Sequence, residues 1–223
     1  MSLTQADRTA VVAAVTAAET TTDAEIVPIV AAQSDAYHDA AVHWITIALF
    51  LIVAVTAFVP QPFLWLLDRA YGGWGDDWSM GALFSGLLLL LAVAYLVLHY
   101  ATKPLAIRMA LTPGATKTRR VRARAVLLFR TAIEARTATR TGVLLYVSLA
   151  ERRAEIVTDA AVLAKVPATA WGEAMHALVD ALKDGRTADA VVAAIGRIGT
   201  VLAEYFPYTG TDPNELPDQL IEL

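Results

Sequence analysis

Two stretches of this chain carry no formal charge: neither residues 40–67 nor residues 78–102 contain Asp, Glu, Lys or Arg. A helix crossing ~30 Å of hydrocarbon needs about 20 predominantly apolar residues, so each stretch is long enough to span a bilayer. The first, WITIALFLIVAVTAFV, meets Pro60 and Pro62, which stop or kink a helix. The second, MGALFSGLLLLLAVAYLVLHY, reaches Pro104 without a proline. Trp44, Trp65, Trp78 and Tyr100 stand where an aromatic belt would place them. The other explanation, two helices buried in a soluble core, fails on mass, because a chain of 223 residues has too little left to cover both on every side. With 57% hydrophobic and 18% charged residues, the composition fits a membrane protein better than a globular domain. The absence of Cys excludes disulfides, thiol nucleophiles, Fe–S clusters and Cys-rich zinc sites.

Charge is distributed unevenly around these stretches. Residues 1–42 hold Arg8 against six acids, and 68–77 hold Arg69 against Asp68, Asp76 and Asp77. Residues 103–140 reverse the balance, with ten bases opposed only by Glu134, and residues 141–223 are again acidic. Lys and Arg accumulate on the cytoplasmic side of spans, so the basic flank after the second stretch places both termini in the cytoplasm and the 68–77 linker outside. No basic, short apolar, small-residue leader precedes the first stretch, which is therefore expected to be retained. The expected location is the bacterial inner (cytoplasmic) membrane, as a multi-pass protein.

The flanks read as one interrupted soluble domain. Thr4 with Asp7 three residues on marks a helix start, and Val11, Val12, Val15 and Ala18 repeat along one face. EIVPIVAA has strand character, with Pro28 arguing for an edge position or a bulge. After the spans, TKTRRVRARAVLLFRTAIEARTATR reads as an amphipathic Arg-rich helix, with Val121, Leu128 and Ile133 on one side. TGVLLYVSL, the ERR turn and AEIVT form a hairpin over 142–158. Two helices follow, at about 168–184 (closed by Gly185) and 187–206 (stopped by Pro207). One early strand and one late hairpin are most economically paired in a single sheet. The expected layout has residues 1–39 and 103–207 forming one α/β domain, a transmembrane hairpin over 40–102 (spans about 43–60 and 79–100), and an extended acidic tail over 208–223.

Several segments in order, RTGVLLYVSLAERRAEIVTD, VPATAW, AIGRIGTVLAEYFP and NELPDQLIEL, resemble the bacterial integral-membrane branch of the TPM domain family. The resemblance implies a small central sheet flanked by helices. It also implies kinship with a thylakoid acid phosphatase, a photosystem II repair protein and a receptor-auxiliary protein. Family members with phosphatase or calcium-binding behaviour carry an acid or Asn and Gly before the central strand, and a Gly-containing turn after the next one. Gly142 matches, but Arg140 stands in place of the acid and Ala160 in place of the glycine. The expectation is therefore an accessory protein that binds, assembles or maintains a membrane protein complex, rather than an enzyme; the alternative is a metal-dependent phosphatase.

Candidate site residues follow from position. Asp159, ending an apolar strand, is the carboxylate that would join a Ca or Mg site or else cap the next helix. Asp23, Glu25, Asp35 and Asp39 are the acids that might join it. No cofactor is required. His43 and His99, near the cytoplasmic ends of antiparallel spans, are a possible ligand pair. Arg119, Arg120, Arg122 and Arg124 are suited to the anionic headgroups of the inner leaflet, and the acidic surroundings exclude nucleic acid as a partner. Gly81, Ala82, Ser85 and Gly86 form small-xxx-small pairs for helix packing or docking. Gly72, Gly73 and Gly75 read as an external turn. HExxH, P-loop, GxGxxG and GxSxG motifs are absent.

Overall fold

The structure is a computed structural model and describes residues 3–71, 78–134, 141–183, 186–210 and 219–223. It divides into two compact units, one of residues 1–35 with 114–223 and one of residues 36–113. The glycine-rich 72–77 turn, Arg140, Gly185 and most of the acidic tail lie outside the described residues.

The first unit is an α/β domain. Helix α1 (Gln5–Glu19) starts at a capping box: Thr4 accepts from the Asp7 amide, and the Asp7 carboxylate accepts from the Thr4 amide. The Thr4 amide, and after it the Thr4 hydroxyl, hold the exposed Asp7 carboxyl below its usual range by hydrogen bonding. Strand β1 (Ile26–Ala31) follows, and after the second unit come α6 (Gly114–Phe129), a π-type turn at Arg130–Glu134, and the hairpin β2 (Val143–Ser148) and β3 (Arg153–Thr158). Then come the short α7 (Ala160–Lys165), a 3-10 turn at Ala168–Trp171, α8 (Gly172–Lys183), α9 (Thr187–Tyr205) and a two-residue β4 (Ile221–Glu222).

The strand order is β3-β2-β1-β4, with β1 parallel to both β2 and β4 and β2 antiparallel to β3. Pro28 therefore lies in an inner strand rather than at the sheet's edge. The register explains why this is tolerated. Val143 donates to Glu25 and Leu149 to Ala31, so odd-numbered β1 residues face β2 and even-numbered ones face β4. Strand β4 pairs only with Ile29 and Val30, leaving the missing Pro28 N–H on a side that is not yet paired. The tail likewise returns to the sheet. Leu223 donates to Val30 and Ala32 donates to Leu223, while Arg8 of α1 binds both Glu222 carboxylate oxygens.

Both sheet faces are covered. On one, α6 sets Val121, Ala125 and Phe129, and the π-type turn sets Ile133, against Val27, Ile29, Leu144 and Tyr146. On the other, α1, α8 and α9 enclose Ile26, Val30, Leu145 and Val147 with Val11, Val15, Leu178, Ile195, Ile198 and Leu202. Helices α1 and α9 meet at Gly199, where an added Cβ would fall 2.7 Å from the Ala18 Cβ and 3.3 Å from its Cα. Gly196, one turn earlier, has nothing within 4 Å.

The second unit is helical: α2 (His38–Phe58), α3 (Gln61–Tyr71), α4 (Met80–Ala101) and α5 (Leu105–Leu111). Helices α2 and α4 pack together. They are long and apolar enough to cross a membrane, with mean hydropathies of 2.3 and 2.5, and only 11% and 6% of these stretches is buried. Low burial distinguishes them from core helices of a soluble protein, which would be covered on all sides. Helix α3 is amphipathic and follows the Pro60 break; continuing apolar character hides it within the first uncharged stretch of the sequence.

Because Gly196 has room and Gly199 does not, the two glycines respond oppositely to one methyl group. Gly196→Ala is expected to stabilise α9 by about 1 kcal/mol through helix propensity. Gly199→Ala is expected to destabilise by about 1–3 kcal/mol, since α1 backbone must yield. Thermal melts of the two variants in detergent, against wild type, check the difference in sign.

Candidate functional site

In parallel sheets the groups that face ligands gather beyond the carboxyl ends of the strands. Here that edge holds the segment after β1 and the β2–β3 turn, and four polar side chains converge there. Tyr146 and Ser148, two residues apart on β2, point to the same face. Ser34 donates from Oγ to the Ser148 Oγ at 2.8 Å, and Ser148 donates to Glu151 Oε2 at 2.5 Å. Ser34 has one hydroxyl proton, so the 2.9 Å contact with Tyr146 is donated by the phenol. The result is a directional chain, Tyr146 to Ser34 to Ser148 to Glu151, ending on a carboxylate that also accepts from the Ser34 amide at 2.9 Å. Tyr146 and Ser148 are fully buried and Glu151 nearly so. Burial pushes the Tyr146 phenol above its usual range, opposed by its hydroxyl neighbours and by the Arg124 charge.

Charged groups lie around this chain. Arg120 pairs with Asp35 at 2.7 Å, and Arg153 donates to the Gly114 carbonyl. The residues where the sheet domain hands the chain over, Ser34 and Asp35 on one side and Gly114 on the other, are thus each tied to it. Glu155, opposite Tyr146 in the β2–β3 register, lies 3.6 Å from Arg122. Burial raises the Glu155 carboxyl above its usual range, outweighing the pull of Arg122 and Arg153.

The four arginines picked from the sequence do not act alike. Arg120 and Arg122 turn toward domain acids, whereas Arg119 and Arg124 are exposed and have no ion-pair partner among the described residues. Asp159 is buried and caps α7, accepting from the Ala160 amide at 2.7 Å. Because β3 is antiparallel, its end lies at the amino edge of β1 and β2, away from the carboxyl edge. Of the acids considered with it, Asp23 and Glu25 precede β1; Asp23 accepts from the Thr209 amide and hydroxyl. Asp35 follows β1, and Asp39 belongs to the helical unit. Among the described residues no three His, Asp or Glu side chains form a group that could hold a metal ion.

In the helical unit, His43 contacts the Asp39 carbonyl, while His99 stacks on Tyr95 and meets Tyr100 edge-on. No hydrogen bond or ring contact joins the two histidines among the described residues. Gly86 is buried against Phe63 and Leu67 of α3, with an added Cβ only 2.5 Å from Leu67 Cδ2. Gly81 and Ser85 are exposed and Ala82 is partly so. The residues that sequence reasoning missed are Ser34, Tyr146, Ser148 and Glu151. The available signal was a pair of hydroxyls at strand spacing inside an otherwise apolar strand.

Comparison with known proteins agrees with this architecture. The TPM domain matches residues 99–201, a span that holds α6, β2, β3 and most of α9. That match places a TPM domain in this part of the chain. Strand β1 lies before the match, on the far side of the apolar helices. The fold resembles the NMR structure of the BA42 protein from the psychrophilic bacterium Bizionia argentinensis, with a TM-score of 0.57 and 17% identity. That alignment covers 100% of this chain and 97% of that one, and at such identity the likeness is one of fold. No curated protein sequence matches the chain.

The raised Glu155 pKa fixes the sign of a pH effect. A carboxyl whose folded pKa exceeds its unfolded value contributes stability below the unfolded value, and this is lost as pH rises through the folded one. Glu155→Gln is therefore expected to gain on wild type near pH 7.5, with the gain disappearing near pH 4. Melts at both pH values check it. Ser148→Ala is expected to cost about 1–3 kcal/mol, because the Glu151 carboxylate and the Ser34 hydroxyl both lose their buried partner.

Proposed function

We propose that this chain is a membrane-anchored TPM-domain accessory protein that binds and maintains a membrane protein complex at the bacterial inner membrane. In this reading α2 and α4 cross the bilayer as a hairpin, the 68–77 linker is outside, and both termini and the TPM domain are cytoplasmic. The observation that carries it is the insertion of two exposed, apolar helices into the chain of the TPM domain, between β1 and α6. A soluble domain split in this way has both of its ends fixed to the anchor.

Charge supports the orientation. The segment that follows α4 is the most basic of the chain, and the linker between the spans is acidic. In this reading the exposed Arg119 and Arg124 serve as contacts for anionic headgroups of the inner leaflet, each contributing about 1 kcal/mol near the surface. The accessory reading, rather than a catalytic one, is favoured by the carboxyl-edge chain of Tyr146, Ser34, Ser148 and Glu151, whose polar groups satisfy one another.

The functional test is affinity purification of the full chain in mild detergent, with a stoichiometric membrane complex as the expected result. Recovery of this chain alone would count against the reading. Mg- or Ca-dependent phosphate release that is lost in Asp159→Asn would replace it with a metal-dependent phosphatase. Topology can be checked separately, because the chain has no native Cys. A Cys at Gly73 should react with an impermeant maleimide in intact spheroplasts, and a Cys at Thr209 only after permeabilisation. The reverse pattern would invert the orientation.

A further inference from the structure

Helix α3 is not part of either span, and its surface differs from theirs. Three of its apolar side chains share one side: Phe63 and Leu67 are buried against Gly86 of α4, with Leu66 on the rim. Gln61, Asp68 and Arg69 lie together on the opposite side. Trp65, 66% exposed, stands among these polar residues, and Asp68 accepts from the Trp78 indole at 3.1 Å.

Position along α4 sets the depth. Gly86 lies six residues inside the Met80–Ala101 helix, which at 1.5 Å per residue is about 9 Å from its start. An amphipathic helix lying in a membrane surface buries its apolar face about 5–10 Å into the headgroup and acyl boundary. The two depths agree. Beneath α3 an open apolar groove of about 330 Å³ is lined by Leu51 and Val55 of α2, Phe63 and Leu66 of α3, and Leu90 of α4. The groove is open and its α2 and α4 walls belong to the two apolar helices, so hydrocarbon is the filling its lining matches.

We infer that α3 is an interfacial helix, lying flat in the leaflet that holds the start of α4, with its apolar rim and the groove beneath it in contact with lipid acyl chains. This rests on the reading of α2 and α4 as membrane spans. It assigns the helix a partner, the lipid surface itself, and a role: it closes the outer end of the hairpin and fixes how deeply the spans sit.

The test is site-directed spin labelling of the full chain in phosphatidylcholine vesicles, where the absence of native Cys leaves single labels unambiguous. Labels at Phe50→Cys and Leu89→Cys report the spans; Leu66→Cys, Gln61→Cys and Arg69→Cys report α3. The inference expects Leu66 to resemble Phe50, accessible to oxygen and protected from a water-soluble nickel relaxant, with Gln61 and Arg69 showing the reverse. A Leu66 label as nickel-accessible as Gln61, with Phe50 and Leu89 still in lipid, overturns the inference and leaves the spans intact. Nickel access at Phe50 and Leu89 overturns the membrane reading and this inference together. Unlabelled protein provides a second measure. Fluorescence lost in Trp65→Phe should be quenched more by lipids brominated near the headgroup than by lipids brominated deep in the chain, and equal quenching at both depths would also overturn it.

Discussion

The parallel pairing of β1 with β2 is the constraint on which the rest of the molecule depends. Ile26 faces Val143, so the central pair of the sheet joins positions separated by the whole helical unit. A parallel pair always needs a crossover connection, commonly a single helix. Here the connection contains α2 to α5 before α6 completes it. Closing a long loop costs only slowly more entropy as its length grows, so such an insertion is thermodynamically tolerable. What it demands is firm attachment at both ends, and Asp35–Arg120, Ser34–Glu151 and Arg153–Gly114 supply that on the domain side.

Polar groups in the TPM domain fall into two kinds. The hydroxyl chain ending on Glu151 is buried and internally satisfied, which lets a carboxylate sit beside an apolar strand without the several kcal/mol that an unpaired buried charge costs. The α6 arginines are mixed: Arg120 and Arg122 pair with Asp35 and Glu155, and Arg119 and Arg124 are exposed without an ion-pair partner among the described residues. One helix thus holds the sheet with its apolar stripe and presents charge with its other side.

Much of the architecture was legible because it is periodic. The capping box of α1, the uncharged lengths of α2 and α4, the β2–β3 hairpin and the α9 stripe are local patterns, set by side-chain spacing and chain punctuation. Helix α3 was hidden because its leucines and tryptophan continue the apolar run of α2, and hydropathy does not register the change of axis at Pro60. Strand β4 was hidden because two residues carry no period; its existence depends on an unpaired edge of β1 that only the assembled sheet provides. The place of Pro28 in an inner strand has the same origin, since its tolerance depends on how far a neighbouring strand extends.

By itself the sequence determined that the chain has two segments able to cross a membrane, a sharply basic segment after them, and an α/β domain written on both sides, because these follow from composition and from periods of two and of three to four residues. The tertiary structure alone decided which polar groups meet. Ser34 and Glu151, Asp35 and Arg120, and Arg8 and Glu222 are far apart along the chain, and their meeting depends on strand order and register. It also decided that Asp159 ends at the amino edge of the parallel strands, because an antiparallel β3 reverses the direction that its sequence position suggests.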